Sequence, residues 1–212
     1  GSPDTSSVFE AAEAIGKGLT GYGIVVVKST CPVGTTEHVR DVISKVTSHP
    51  FDVVSNPEFL REGSAVDDFM RPDRIIVGCD DVRVLEIMRE LYAPYLRTGK
   101  PFLSMGIRSA ELAKYAVNSM LAARISLMNE LANIAEAYEA DISEIREALM
   151  SDSRLGATYL FPGLGFGGAC LAKDVIAAAH LAKRRDLACP VLEGITETNR
   201  HQQQGFVQRI LD

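Results

Sequence analysis

Residues 23–34 have the sequence GIVVVKSTCPVG, in which an apolar, β-branched run leads into a polar turn. An unbroken run of this kind, from Gly23 to Lys28, is typical of a strand that a parallel sheet buries on both faces. The Pro and Gly of the turn end the strand, and a helical stretch over 35–46 follows. The segment therefore predicts a strand–helix unit of an α/β sheet.

The same alternation continues through the first half of the chain. Further strands are predicted over 51–54, 74–78 and 101–103, and a helix over 82–92. Strands that alternate with helices favour an α/β fold with a doubly wound parallel sheet.

The second half of the chain changes character. One long helix is predicted over 109–138, because this stretch contains no Pro or Gly, with Ser109 as its N-cap and Glu111 suiting the dipole of its first turn. A helix of about 30 residues exceeds the usual globular length and typically forms the spine of a domain or a dimer interface. A capping box at 141–144 begins the next helix. Apolar residues recur along the long helix at helical spacing: Leu112, Ala116, Met120, Leu127, Leu131, Ile134 and Tyr138.

Composition limits the classes of function. The 212 residues are 46% hydrophobic with a net charge of −6 and no basic tract, which argues against nucleic acid as the main partner. No apolar run approaches the roughly 18–20 residues of a membrane span, and the N-terminal residues do not resemble a signal peptide. The four cysteines lie far apart and the histidines have no ligand spacing, so we expect reduced thiols, no metal and a cytoplasmic location.

Residues 161–174, FPGLGFGGACLAKD, form a Gly-rich loop that leads into a helix. Cys170 falls at the start of that helix, where free amides and the helix dipole stabilise a thiolate, the nucleophilic form of cysteine. Asp174 lies one helical turn on, so its carboxylate can orient water or act as a base beside the thiol. The alternative is a small buried cysteine packed against glycines, but four glycines before a cysteine at a helix start favour a catalytic interpretation.

The loop also contains the GxGxxG spacing at Gly163, Gly165 and Gly168. In a dinucleotide-binding motif this spacing opens directly off a strand, whereas here Pro162 precedes it and no apolar strand lies upstream. The spacing therefore does not predict a dinucleotide site.

Polar residues of the long helix and of two strand ends form further candidate groups. Lys114 and Asn118 are four residues apart and can direct an ammonium and an amide at one developing oxyanion, although on these residues alone a solvated surface is the simpler interpretation. Glu58 and Glu62 follow the strand over 51–54, where open α/β sheets bind ligands, and are candidate acid/base groups or surface charges. Thr30 follows the first strand in the equivalent place, or caps a helix.

Six segments of the chain, taken in order, resemble the nucleotide-sugar 6-dehydrogenases of the UDP-glucose/GDP-mannose dehydrogenase family. They are KSTCPVGTT (28–36), NPEFLREGSAVDDF (56–69), PDRIIVG (72–78), AELAKYAVN (110–118), NELANIAE (129–136) and GFGGACLAKD (165–174). The resemblance covers nearly the whole chain. It implies that residues 1–105 are the back half of a Rossmann-like NAD-binding domain and that residues 106–212 are an all-helical central domain. The family also has an N-terminal GxGxxG strand–loop and a C-terminal α/β domain, so we expect the middle of a longer enzyme that alone binds NAD poorly and turns over little.

The resemblance also implies a reaction. Members of the family oxidise a sugar 6-hydroxyl twice with NAD, through a thiohemiacetal and a thioester on a cysteine that corresponds to Cys170. Lys114 and Asn118 would stabilise the oxyanion, and Asp174 would position water. Glu58 would assist thioester hydrolysis, and Thr30 would hold a catalytic water.

Contacts to ligands are implied in the same way. The sugar nucleotide would contact Glu58, Phe59, Leu60, Arg61, Glu62, Lys114, Asn118, Arg154, Tyr159, Phe161, Gly163, Gly165, Phe166 and Gly167. NAD would contact Ser29, Thr30, Glu62, Cys170 and Lys173. Cys31 stands where the family often has Val.

The expected substrate is UDP-glucose, and the expected assembly is a homodimer through the helix over 109–138. GDP-mannose or a UDP-N-acetylhexosamine is the alternative substrate, and a non-catalytic dimerisation fragment is the alternative class of function. The NAD-dependent 3-hydroxyacid dehydrogenases share the Lys/Asn helix in outline but do not predict the Gly-rich cysteine loop.

Overall fold

The computed structural model describes residues 4–96 and 99–211. Their contacts divide the chain into two compact units, of which one ends at Lys114 and the other begins at Tyr115. We call these the sheet unit and the helical unit. The sequence places the domain boundary at 105–106, so the division by contacts falls further along the chain.

The sheet unit confirms the predicted α/β alternation. The predicted strands and the predicted helix over 82–92 are present, and α1 and α3 are additional helices that the sequence patterns did not indicate. The elements in chain order are α1 (Ser6–Gly18), β1 (Gly23–Val27), α2 (Thr35–Ser44), β2 (Phe51–Ser55), α3 (Ala65–Met70), β3 (Ile75–Gly78), α4 (Val82–Tyr92) and β4 (Phe102–Met105).

The four strands form one sheet in the order β1-β2-β3-β4. The β1–β2 and β3–β4 pairs are parallel, as predicted, but β2 and β3 run antiparallel through the pairing of Ser55 with Gly78. The sheet is therefore mixed, and the predicted parallel pairing is wrong only between β2 and β3. Asn56 fixes this junction, because its Nδ2 donates to the Ile76 carbonyl over 2.7 Å and its Oδ1 accepts from the Tyr92 hydroxyl over 2.5 Å.

Both faces of the sheet are covered. On one face Val25, Val27 and Val53 belong to a buried cluster with residues of α1 and α2, and on the other face Val54 and Val77 belong to a cluster with residues of α4. Burial on both faces explains the unbroken β-branched runs. Because β1 and β2 are parallel, the segments after them, which begin at Lys28 and Asn56, leave the sheet at the same edge.

The remaining elements are helices: α5 (Ile107–Ala137), α6 (Ile142–Ser151), α7 (Ala169–Lys183) and α8 (Pro190–Leu211). The long helix is confirmed, but it begins two residues before Ser109, so Ser109 is not its N-cap. The reason is tertiary, because Ile107 is buried with the core of the sheet unit. A Cβ at Gly78 would lie 2.9 Å from the Ile107 Cα, so only glycine allows β3 to approach the helix start this closely. At α6 the N-cap of the predicted capping box is confirmed, since Asp141 accepts from the Ser143 amide over 2.7 Å.

The apolar stripe of α5 lies on its exposed side. Met120 is 63% exposed and Leu127 is 56% exposed, whereas the buried side of the helix carries polar residues such as Ser126 and Asn129. The core of the helical unit is formed instead by residues that the stripe does not contain. These are Ala122, Phe166, Val175 and Ile195.

Candidate active site

The segment after β2 brings two of the predicted site residues together. Glu58 Oε1 lies 3.0 Å from Lys114 Nζ, and its other carboxylate oxygen accepts from the Leu60 amide over 2.6 Å. The Lys114 ammonium also lies 5.2 Å from the centre of the Phe59 ring. The Arg74 guanidinium lies 4.1 Å from the centre of the same ring. A buried lysine that keeps its charge needs such partners.

A second lysine lies at the same sheet edge. Lys28 directly follows β1 and donates to the Asn56 carbonyl over 3.2 Å. The pKa of Lys28 is lowered, mainly by burial and also by the charge of Lys114. The charge of Glu58 acts in the opposite direction. The edge therefore holds two lysine side chains, Lys28 and Lys114, and the Glu58 carboxylate that pairs with Lys114.

The turn after β1 is held in place by α5. Glu111 is buried, and its carboxylate accepts from the Gly34 amide over 2.6 Å and from the Thr36 amide over 2.8 Å, at the start of α2. The expectation that Glu111 serves the dipole of its own helix is therefore wrong, because α5 begins earlier and the carboxylate caps a different helix. Ser29 is exposed and Thr30 is half-buried on the segment that Glu111 anchors.

In the helical unit the structure pairs Asn118 with Asp174. Asn118 Nδ2 donates to Asp174 Oδ2 over 2.6 Å, and both side chains are buried. The other oxygen, Asp174 Oδ1, accepts no hydrogen bond from the described residues, although the ammonium of the exposed Lys173 lies 3.3 Å away. Buried polar atoms normally have a hydrogen-bond partner, so this carboxylate oxygen is an acceptor whose hydrogen-bonding capacity the described residues leave unused.

Cys170 is the second residue of α7 and is exposed. The helix follows Gly168, whose positive φ of 76° turns the chain into it. The amides of a first helical turn have no partners within the helix, so they can stabilise an anion formed there. Cys170 and Asp174 are one turn apart on α7, as the sequence predicts.

Other predicted ligand contacts have local partners instead. Arg154 forms an ion pair with Asp152 over 2.6 Å, and Arg61 forms one with Asp68 over 2.5 Å. The Phe166 side chain is buried in the core of the helical unit, so only its backbone is available to a ligand. The predicted contacts Leu60, Glu62, Phe161, Gly163 and Gly167 are exposed, and Tyr159 and Gly165 are half-buried.

Sequence reasoning missed the polar residues that hold these segments. Asn129 accepts from the Gly163 amide over 2.8 Å, and Asn199 accepts from the Phe166 amide over 2.7 Å. A signal was present, since Asn is a poor helix former and both residues lie inside long helices. Within the described residues, no group of three or more His, Cys, Asp or Glu side chains is arranged to hold a metal ion, and no helix has the length and apolarity of a membrane span.

Comparison with known proteins identifies the family of the chain. Residues 1–96 match the NAD binding domain, and residues 108–201 the central domain, of the UDP-glucose/GDP-mannose dehydrogenase family. The chain belongs to the UDP-glucose/GDP-mannose dehydrogenase family. Its Lys114–Glu58 pair lies where the segments after β2 and at the start of α5 meet, and its Asn118–Asp174 pair lies within the part that matches the family's central domain.

Individual members of the family are similar over most of the chain. UDP-glucose 6-dehydrogenase of Pseudomonas aeruginosa is 43% identical over 96% of this chain and 46% of its own length. A UDP-glucose dehydrogenase structure from Pyrobaculum islandicum has 40% identity and a TM-score of 0.89, over 94% of this chain and 47% of that one. A GDP-mannose dehydrogenase structure from Pseudomonas aeruginosa has 30% identity and a TM-score of 0.68, over 96% and 50%. The chain therefore spans about half the length of these members of the UDP-glucose/GDP-mannose dehydrogenase family.

Proposed function

We propose that the protein is an NAD-dependent dehydrogenase that oxidises the 6-hydroxyl of UDP-glucose to a carboxylate. One observation carries the proposal. The exposed Cys170 thiol begins α7, and one turn further along the same helix Asp174 is buried against Asn118 with one oxygen accepting no hydrogen bond from the described residues. A nucleophile with a positioned carboxylate nearby is what acyl transfer to sulfur and its hydrolysis require.

The residues after β1 fit NAD as the oxidant. Nucleotides bind at the carboxyl ends of parallel strands, and Ser29 and Thr30 follow β1 at that edge with exposed or half-exposed side chains. When bound, NAD supplies a nicotinamide that accepts a hydride. We assign Ser29, Thr30, Glu62, Cys170 and Lys173 to the cofactor.

The reaction proceeds through a covalent bond to Cys170. In the first oxidation the 6-hydroxyl loses its proton and carbon 6 loses a hydride, which gives an aldehyde. The Cys170 sulfur bonds to that carbon as the thiol proton moves to the oxygen, and loss of a second hydride and the hydroxyl proton leaves a thioester. Water then cleaves the carbon–sulfur bond and restores the thiol. In total one alcohol and one water give one carboxylate, two hydrides and three protons.

Other residues act on the charge that develops at carbon 6. Lys114 and Asn118 stabilise the oxyanion, since an ammonium and an amide N–H are both donors. Asp174 orients the water or takes its proton, and Glu58 assists the same hydrolysis from the segment after β2. Thr30 holds a catalytic water. The remaining assigned contacts to the sugar nucleotide are Phe59, Leu60, Arg61, Glu62, Arg154, Tyr159, Phe161, Gly163, Gly165, Phe166 and Gly167.

UDP-glucose is favoured over GDP-mannose and the UDP-N-acetylhexosamines by degree of similarity. The protein named for UDP-glucose is 43% identical to this chain, against 30% for the GDP-mannose dehydrogenase structure and 23% for a UDP-N-acetyl-mannosamine dehydrogenase structure. We further propose that the protein is a homodimer through α5, because the helix exposes its apolar stripe. A cytoplasmic location remains a prediction from the sequence.

The experiment that tests the proposal is the yield of NADH per sugar nucleotide. The full-length protein is assayed with UDP-glucose, GDP-mannose and UDP-N-acetylhexosamines in turn, beside Cys170→Ala and the matched thiol control Cys189→Ala. We expect the unsubstituted protein (the parent) and Cys189→Ala to form two NADH per UDP-glucose. Cys170→Ala should form no UDP-glucuronate. Two NADH per GDP-mannose would change the substrate only. No NADH with any of them would overturn the catalytic function and favour a non-catalytic dimerisation role.

A further inference from the structure

The segment between α6 and α7 is held by side chains from the surrounding helices. It contains no regular secondary structure between residues 152 and 168, so its backbone N–H and C=O groups depend on other partners. Arg124 of α5 donates to the Thr158 carbonyl over 2.7 Å and also to the Leu155 carbonyl. Arg146 of α6 donates to the Leu160 carbonyl over 2.9 Å. These bonds therefore fix the backbone that precedes the Gly-rich loop.

Within the loop, one side chain forms hydrogen bonds with both backbone polar groups of Phe166. Asn199 of α8 is buried, its Oδ1 accepts from the Phe166 amide over 2.7 Å, and its Nδ2 donates to the Phe166 carbonyl over 3.1 Å. The carboxamide thus takes the place that the backbone of a neighbouring strand would have. Gly165 makes room for it, since its φ is 103° and a Cβ there would lie 2.6 Å from Asn199 Oδ1.

The same pattern recurs three residues earlier, at Gly163. Its amide donates to Asn129 Oδ1 over 2.8 Å, and its carbonyl accepts from Gln202 Nε2 over 2.8 Å. Gln202 lies three residues beyond Asn199, so the two face the same side of α8. Between the two fixed peptides, Leu164 is exposed.

We propose that Asn199 and Gln202, together with Asn129, are positioning residues that hold Gly163 to Phe166 in the shape that binds the sugar nucleotide. The inference rests on the proposed function, which assigns this loop to the substrate. A loop that is already ordered loses less conformational entropy when a ligand binds, so these carboxamides strengthen binding without touching the ligand. Their loss should therefore act on the KM of the sugar nucleotide more than on kcat.

The kinetic test compares three substitutions on α8 of the full-length protein. Asn199→Ala removes both bonds that Asn199 forms with Phe166 and leaves the Phe166 carbonyl a longer bond of 3.4 Å from Gln203 Nε2. The substitution should raise the KM of the sugar nucleotide about tenfold, since each lost buried bond is worth a factor of several, with the KM of NAD unchanged. Thr198→Ala removes a bond from α8 to Glu130 that does not involve the loop. Ile195→Val weakens the core of the helical unit, to which Phe166 contributes its side chain, but keeps both bonds of Asn199 to the loop. A sugar-nucleotide KM in Asn199→Ala no higher than in these two controls would overturn the proposal.

Hydrogen exchange gives a second measurement that does not depend on activity. In the parent the Phe166 and Gly163 amides should exchange slowly. Asn199→Ala should increase the exchange rate of the Phe166 amide by about tenfold or more, while Thr198→Ala and Ile195→Val leave it within about twofold of the parent. Unchanged exchange at Phe166 would overturn the positioning role whatever the kinetics. A parent that forms no NADH but loses Phe166 protection in Asn199→Ala would reject the proposed function and keep the positioning of the loop.

Discussion

Glu58 Oε1 lies 3.0 Å from Lys114 Nζ, so a carboxylate from the segment after β2 is the ionic partner of a buried lysine on α5. The pair is asymmetric, because the Lys114 side chain is 6% exposed and that of Glu58 is 29% exposed. An unpaired buried ammonium is unfavourable, whereas an unpaired, half-exposed carboxylate can be hydrated. Each partner therefore has a different consequence when it is removed.

Replacing Glu58 should destabilise the sheet unit through the charge it leaves behind. Glu58→Gln is expected to lower the free energy of unfolding by about 1–3 kcal/mol, because Lys114 loses its charged partner. Asp73→Asn is the matched control, since Asp73 forms an ion pair with Lys100 at the same 3.0 Å but on the surface. Denaturant unfolding of the full-length protein measures both, and the control should change by no more than about 0.5 kcal/mol. Equal losses in the two variants would contradict the importance of burial here.

The Asn118–Asp174 bond allows structure and catalysis to be separated by an exchange of the two residues. Asp174→Asn should lower kcat by about 10²–10⁴-fold, because it removes the proposed base. The double variant Asn118→Asp/Asp174→Asn keeps one amide and one carboxylate in contact, so much of the stability lost by the single variant should return while kcat stays low. Steady-state kinetics and thermal unfolding of the three proteins test this. Recovery of kcat in the double variant would show that the pair is structural only.

The two bonds of Glu111 to the segment after Thr30 lead to a prediction about stability. Its carboxylate accepts two amides at the start of α2, and glutamine can offer only one acceptor atom. Glu111→Gln should therefore cost about 1–3 kcal/mol of stability, through one unsatisfied buried amide. Glu37→Gln is the control. Glu37 lies on α2, the helix that Glu111 caps, and forms an exposed ion pair with Arg108. A loss in Glu37→Gln as large as that in Glu111→Gln, measured by denaturant unfolding, would reject the capping interpretation.

The sequence patterns predicted those features of the fold that depend on neighbouring residues. Unbroken β-branched runs predicted the strands, and Asp141 predicted the start of α6, since both signals are local. The direction of β3 relative to β2 was not predictable in this way, because it depends on the buried bonds of Asn56 to another strand and to Tyr92. The start of α5 likewise depends on where Ile107 finds a core.

The candidate site shows the same division. Residue types and spacing indicated Cys170 and Asp174, because a nucleophile at a helix start beside a carboxylate is unusual. For Lys114 and Asn118 they favoured a solvated surface, and the family resemblance supplied the catalytic interpretation. The roles of Glu111 and Asn199 could not be predicted, since each acts on a peptide that is more than 30 residues away along the chain. Helical periodicity found the apolar stripe of α5 but could not tell that the core of the helical unit lies on another face.

That exposed stripe leads to the prediction about assembly. Met120 and Leu127 are seven residues apart, so they lie on one face of α5, and an exposed apolar row on a long helix is a typical protein–protein contact. Met120→Asp or Leu127→Asp would bury an unpaired carboxylate in the proposed dimer, which should raise its Kd at least about a hundredfold, for a cost of about 3 kcal/mol. Asn133→Asp adds the same charge to another face of α5 and should leave the dimer intact. Light scattering of the parent and the three variants at one concentration decides, and a monomeric parent, or a dimer that survives both charges on the stripe, would reject assembly through α5.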